Sequence, residues 1–284
     1  MSTTKIGWIG LGKMGIPMSQ QLIKAGYSLT AYNRSKVKEA TLLTAGATTA
    51  ATPALLLQQV DIVIIMVSDD NAIQDIFNGR DGLLGVNTTD KIIINMSTVS
   101  PAISRQMAQL CNQQGNHYLD APVSGSVKQA EDGTLVIMVG GEEAIFEKAK
   151  PVLEKIGKLV MRVGDTGAGN TAKLVINTLL GIHAQGLAEA VLFAQQNGIE
   201  ALPLLTLLNN GALSSPFLKI KGDAIVNDSY SAAFALKHIA KDLRLAKDLG
   251  LSTPLGEAAY ETFQQAEPAL GDEDIIAVIK ALRK

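Results

Sequence analysis

One cysteine, Cys111, stands in the 284 residues. No intrachain disulfide can form, and a reducing compartment is the expected setting. Cys111 lies in a run with helical spacing, so it is expected in the core and not in redox or nucleophilic work. Histidine is also scarce: His117, His183 and His238 are scattered, without the spacing of a metal site. An excess of one charge is missing too. Lysine and arginine number 25 against 27 acidic residues, a net charge of −2, which leaves no electrostatic footprint for nucleic acid or an anionic membrane. No run of 18 or more consecutive apolar residues occurs, so no membrane span is expected. No basic-then-apolar leader precedes the first apolar strand, so a cytoplasmic protein is expected.

What is present suits a globular chain of one large or two ordinary domains: 47% hydrophobic and 18% charged residues over a length that can bury a substantial core. A short apolar run, Ile6 to Gly10, leads into Gly10-Leu11-Gly12-Lys13-Met14-Gly15 and then a predicted helix from Ile16 to Ala25. Strand, G-x-G-x-x-G, helix is the setting in which this motif holds a dinucleotide. Gly10 permits the tight turn, Gly12 keeps side chains off the pyrophosphate, and Gly15 lets helix and strand pack closely. The pyrophosphate then meets the free amides of the helix N-terminus.

The second predicted strand, Ser28 to Tyr32, ends in Asn33-Arg34-Ser35. Sites selective for NAD carry an acid there, bonded to the ribose hydroxyls. Here Arg34 follows, with Lys36 and Lys38 beyond. An arginine forks onto a 2′-phosphate, and a missing carboxylate removes repulsion. NADP is therefore expected over NAD. The same residues also read as a turn in which Ser35 caps the next helix.

Strands and helices go on alternating. Asp61 to Val67 reads as a buried parallel strand and Lys91 to Asn95 as another, followed by a helix from about Pro101 to Gln114. Strand ends at the carboxyl edge face the ligand crevice, so Met66, Val67 and Ser68, and Ser97 with Thr98, are expected to line the cofactor. The strand His117 to Asp120 leads into a loop, Ser124-Gly125-Ser126, whose hydroxyls and amides suit a carboxylate, although an ordinary turn has the same composition. The strand Thr134 to Val139, helix Glu142 to Ile156 and strand Lys158 to Val163 follow. The expected organisation is α/β: a Rossmann-type, mostly parallel sheet domain over residues 1–164, then an all-helical domain over 165–284, joined by a long helix.

That helix is predicted over 168–196. Alanine and leucine are abundant there and proline is absent; at 1.5 Å per residue it would run about 43 Å. Asn170, Lys173 and Asn177 share one face of it. A solvated polar stripe would look the same, but the flanking Leu174, Val175, Ile176, Leu179 and Leu180 favour a face turned to a cleft. Further helices are predicted near 201–209, 236–249, 253–266 and 273–282.

Four ordered motifs carry a family resemblance over nearly the whole chain: the glycine loop; Asp120 to Ser126 with Asp132-Gly133-Thr134-Leu135; Gly167 to Lys173 with Asn177; and Lys241-Asp242-Leu243. On these the chain resembles the β-hydroxyacid dehydrogenases. The resemblance implies a dimeric or tetrameric enzyme acting on a small hydroxy acid or semialdehyde. It also implies Lys173 as the catalytic lysine and Asn177 as its partner in placing the substrate. Ser124, Gly125 and Ser126 would hold the substrate carboxylate with help from Lys241, and Thr98 and Lys241 would be cofactor contacts. Asn33-Arg34-Ser35, Ser124-Gly125-Ser126 and the segment around Lys241 lean toward the NADPH-dependent glyoxylate/succinic semialdehyde reductase branch. The 3-hydroxyisobutyrate and tartronate semialdehyde branches are the alternative. Asp242 is expected to hold Lys241 in place. A non-catalytic dinucleotide sensor would explain the glycine loop equally well, but it has no use for Lys173.

Overall fold

The computed structural model describes residues 4–283. The chain forms two compact units, one ending at Lys173 and the other beginning at Leu174.

The first unit is built on strands whose sequences are nearly continuous β-branched runs. β1 (Lys5–Ile9), β2 (Ser28–Tyr32), β3 (Thr48–Thr49), β4 (Ile62–Ile65), β5 (Ile92–Asn95) and β6 (His117–Asp120) pair in parallel in the order β3-β2-β1-β4-β5-β6. This is the doubly wound dinucleotide-binding order, with its switch point between β1 and β4. Beyond β6 the sheet continues through β8 (Leu135–Gly140), antiparallel to β6 and to β7 (Val123–Ser124), and β9 (Gly157–Gly164) runs parallel to β8. β4 and β5 are buried at every position, as a sheet covered on both faces requires. Alternation sorts their side chains: Ile62, Ile64 and Ile94 join Trp8 in one core cluster, while Val63, Ile65 and Ile93 join Ile9 in the other.

Helices pack over these two faces. α1 (Gly15–Lys24) follows the glycine loop; α2 (Ala40–Thr44), α3 (Pro53–Gln59), α4 (Asp70–Asn78), α5 (Pro101–Gln113), α6 (Val127–Glu131) and α7 (Glu143–Leu153) follow in order. α3 and α4 are absent from the sequence reading, yet both carry start signals. The Thr52 hydroxyl accepts the Leu55 N–H ahead of Pro53, and the Asp69 carboxylate accepts the Ala72 N–H.

α8 (Ala168–Gln196) starts and stops where composition predicted. The second unit contains α9 (Ala201–Asn210), α10 (Pro216–Val226), α11 (Leu236–Asp248), α12 (Pro254–Leu270) and α13 (Val278–Leu282). α10 is not among the predicted helices, although Ser215 caps it ahead of Pro216. The predicted helix at 273–282 divides into a 3₁₀ turn, Ile275–Ala277, and α13. The core gathers Leu187, Val191, Ile239, Leu243, Phe263 and Ile276.

One expectation about α8 needs correction. Val175, Ile176 and Leu179 are 63%, 42% and 54% exposed, so the apolar flanks do not keep this helix dry. By length and composition α8 is also apolar enough to cross a membrane, although no uninterrupted apolar run of that length exists. Its Asn170 and Asn177 are buried and hydrogen-bonded to protein groups, which marks a helix packed against protein.

Candidate active site

At the switch point the glycine loop is shaped by close contacts. Gly10 has φ +100°, and a Cβ on it would stand 2.1 Å from the Met66 carbonyl oxygen. A Cβ on Gly15 would stand 2.1 Å from the Gly10 carbonyl oxygen, so α1 begins directly against the loop. A Cβ on Gly12 meets nothing within 4 Å; this is the open side, where a pyrophosphate can reach the backbone. The Trp8 indole N–H donates to the Gly10 carbonyl at 3.0 Å, a brace the sequence did not announce. Leu11 turns its side chain into the core, Lys13 is exposed and Met14 is partly buried. With no acid in the first turn of α1, its free amides present a positive pole to the cleft. These residues fit a dinucleotide.

Asn33 has hydrogen-bond partners within the protein. Its Oδ1 accepts the Leu11 N–H at 2.9 Å and its Nδ2 donates to the Ser35 carbonyl at 2.8 Å. The carboxamide ties the glycine loop to the end of β2. Arg34, Ser35 and Lys38 are exposed. Ser35 precedes a 3₁₀ turn, Lys36–Glu39, but its hydroxyl makes no capping hydrogen bond, so the capping role is not realised. Lys36 bonds to Glu39 at 2.9 Å and so is not a free member of the basic cluster.

At the ends of β4 and β5 a buried polar chain holds the loops. Ser97 Oγ accepts the Val67 N–H at 2.9 Å, Asn95 Oδ1 accepts the Ser97 N–H at 3.0 Å, and Asn95 Nδ2 donates to the Tyr118 hydroxyl at 3.0 Å. Ser97 is fully buried and acts as a brace, not as cofactor lining. Met66, Val67 and Thr98 are partly buried and Ser68 is exposed. Burial raises the Tyr118 hydroxyl pKa far above its ordinary value, so Tyr118 is a neutral strut.

Asp120, at the end of β6, organises the start of α8. Its carboxylate accepts the Gly167 N–H at 2.7 Å and the Asn170 N–H at 2.8 Å, satisfying amides at the helix start. Its burial pushes the carboxyl pKa up, and the two amides pull it back. Asn170 in turn accepts the Val99 N–H at 2.9 Å and donates to Ser104 Oγ at 3.2 Å. Asn170 is fully buried, so it does not line a cleft with Lys173; Lys173, partly buried, follows three residues later.

In the serine loop Gly125 has φ +138° and its Cβ position is blocked by Leu135 at 2.7 Å. The N–H and hydroxyl of Ser126 are both within hydrogen-bond reach of Gln129 Oε1, at 2.8 and 2.5 Å. These contacts start α6. Ser124 is partly buried and Gly125 is exposed.

In the second unit Asn177 Nδ2 donates to Asp242 Oδ2 at 2.5 Å, and Lys241 Nζ lies 3.0 Å from Asp242 Oδ1. Asn177 and Asp242 are 2% and 3% exposed. Asp242 thus holds Asn177 as well as Lys241. An ionised carboxylate only accepts hydrogen bonds, so it takes the carboxamide nitrogen, and Asn177 presents its oxygen at the opposite end. His238 is exposed, its ring stacked at 6.0 Å on Phe234.

Comparison with known proteins agrees with this geometry. Residues 5–164 match the NAD binding domain of 6-phosphogluconate dehydrogenase, and residues 167–282 match the NAD-binding family of NADP-dependent 3-hydroxyisobutyrate dehydrogenase. The chain is 36% identical to the chloroplastic glyoxylate/succinic semialdehyde reductase 2 of Arabidopsis thaliana, over 100% of this chain and 80% of that protein. It is 35% identical to the 2-hydroxy-3-oxopropionate reductase of Escherichia coli K12, over 98% and 97%. The solved structure of Mycobacterium tuberculosis 3-hydroxyisobutyrate dehydrogenase with L-serine superposes with a TM-score of 0.92 at 28% identity, covering both chains completely. A glycine loop built for a pyrophosphate, a lysine-bearing helix anchored by Asp120, and matches that run the length of the chain place it in the β-hydroxyacid dehydrogenase family of NAD(P)-binding oxidoreductases.

Proposed function

We propose that the chain is an NADP(H)-dependent reductase that converts a short-chain semialdehyde, or glyoxylate, to the hydroxy acid. The observation that carries this reading is Lys173, partly buried on α8 directly after the turn that Asp120 and Asn170 anchor. A non-catalytic sensor needs no proton donor there. The three relatives act, by name, on small acids that bear an aldehyde or hydroxyl group. The tartronate semialdehyde and 3-hydroxyisobutyrate branches are the second reading, favoured by the full-length Escherichia coli match.

When bound, the dinucleotide supplies the hydride. Ser124 and the Gly125 N–H hold the substrate carboxylate. Negative charge grows on the carbonyl oxygen as its carbon is reduced; the Lys173 ammonium stabilises it and delivers a proton, leaving a neutral amine. Asn177, oriented by Asp242, offers an acceptor to a substrate hydroxyl or an ammonium. Arg34, Ser35 and Lys38, exposed where NAD enzymes carry an acid, support the preference for NADP.

The active species is a homodimer or homotetramer in this reading. Ile176, Leu179, Gly186 and Phe193 are exposed along one stripe of α8, the spacing of a helix face that meets a second copy. Light scattering on Phe193→Glu, expected to yield a smaller species, tests this. The activity is tested by NADPH oxidation with glyoxylate, succinic semialdehyde, methylmalonate semialdehyde and tartronate semialdehyde, with NADH alongside. Turnover on one aldehyde with NADPH favoured is expected; NADPH binding without turnover on any would return the sensor reading.

A further inference from the structure

The end of β2 carries no acid in sequence, yet the fold brings one back to it. The 3₁₀ turn Lys36–Glu39 reverses the chain, so that Glu39 Oε1 accepts the Asn33 N–H at 2.9 Å. Asn33 is the position from which dinucleotide-binding folds address the adenosine ribose. Glu39 is 5% exposed and is covered by Lys36, whose Nζ lies 2.9 Å from the same oxygen. The Lys36 side chain is 52% exposed, so burial does not dictate its place. Its other partners do: the Ala50 carbonyl at 3.1 Å and the Tyr32 ring, whose centroid is 4.4 Å away.

A carboxylate at this corner opposes a 2′-phosphate, and a lysine laid over it cancels the opposition. We propose that Lys36 and Glu39 are a charge-balancing pair that sets how strongly the site discriminates phosphorylated from unphosphorylated dinucleotide, Arg34 and Lys38 providing the attraction. The assignment rests on the reading of this corner as the 2′-phosphate subsite. Lys36 thereby acts through Glu39, as a specificity-determining residue and not as a phosphate ligand.

The test is direct binding of NADPH and NADH, followed by cofactor fluorescence, to the full chain and three variants. Glu39→Gln keeps an acceptor for the Asn33 N–H and leaves Lys36 uncompensated; the ratio of NADPH to NADH affinity is expected to rise about fivefold, the size of effect one partly screened unit charge produces. Lys36→Gln exposes the Glu39 charge, and the ratio is expected to fall by a similar factor. The double variant returns to within about twofold of wild type, and both single shifts shrink in high salt. A purely structural pair would weaken both cofactors alike. Ratios within twofold of wild type in both single variants, or shifts in the same direction, overturn the proposal. Should Glu39→Gln fail to fold, Lys36→Gln, altered at a half-exposed side chain, decides alone. If wild type itself favours NADH, the NADP reading fails, while opposite shifts in the variants still uphold the pair.

Discussion

Replacing Asn170 with alanine is expected to destabilise the first unit by about 3 kcal/mol, mainly through a group the substitution does not touch. Asn170, Val99 and Ser104 are all fully buried. The alanine strands the Val99 N–H, now bonded at 2.9 Å to Asn170 Oδ1, and a buried donor left without a partner costs about 1–3 kcal/mol. It also removes the 3.2 Å bond to Ser104 Oγ, worth about 1 kcal/mol. Ser104→Ala provides the scale: it leaves Val99 satisfied and strands one N–H of the Asn170 carboxamide from the longer, 3.2 Å contact, so a cost at the low end of that range, about 1 kcal/mol, is expected. Trp8 is the only tryptophan and lies fully buried in β1, so its fluorescence reports the first unit during urea unfolding. With a slope near 2 kcal/mol per molar, the Asn170→Ala midpoint should drop by about 1.5 M and that of Ser104→Ala by about 0.5 M. Equal shifts for the two variants would refute the Val99 bond as a stabilising contact.

Lys173→Ala is expected to lower kcat/KM by about 10²–10⁴ while NADPH binding, measured by fluorescence, stays near wild type; a rate near wild type would remove Lys173 from the chemistry. Arg34→Asp is expected to move cofactor preference toward NADH, and an unchanged NADPH dissociation constant would refute the 2′-phosphate contact. Cys111 is buried and its thiol pKa is pushed up to about 12. It should be silent to a thiol-reactive dye at pH 8 until the chain unfolds; reaction at the rate of a free thiol would show that this helix opens locally. Because the unfolded thiol ionises first, near pH 9, this group should contribute a decline in stability between pH 9 and 12, visible in the urea midpoint relative to Cys111→Ala.

What the sequence alone determined was whatever depends on neighbours in the chain. The strands of the parallel sheet are legible because a strand buried on both faces must be apolar throughout, as Ile62 to Ile65 are. The limits of α8 are legible because helix propensity is local and no proline interrupts it. The glycine loop is legible because the demands on Gly10 and Gly15 come from a turn and a strand immediately beside them. Tertiary structure decided where each polar group spends its hydrogen bonds, and that depends on residues far away in sequence. Asn33 advertises an open carboxamide, and the fold sets it between Leu11 and Ser35. Asn170 looked like a neighbour of Lys173 in a cleft until Asp120, Val99 and Ser104 surrounded it. Ser126 advertises an open hydroxyl, and the fold sets it against Gln129. In each case residue type advertised a capacity to donate or accept, and only the fold supplied the partner. The exposure of Val175 and Leu179 has the same origin: hydrophobicity favours burial, but packing decides which face of a helix finds cover.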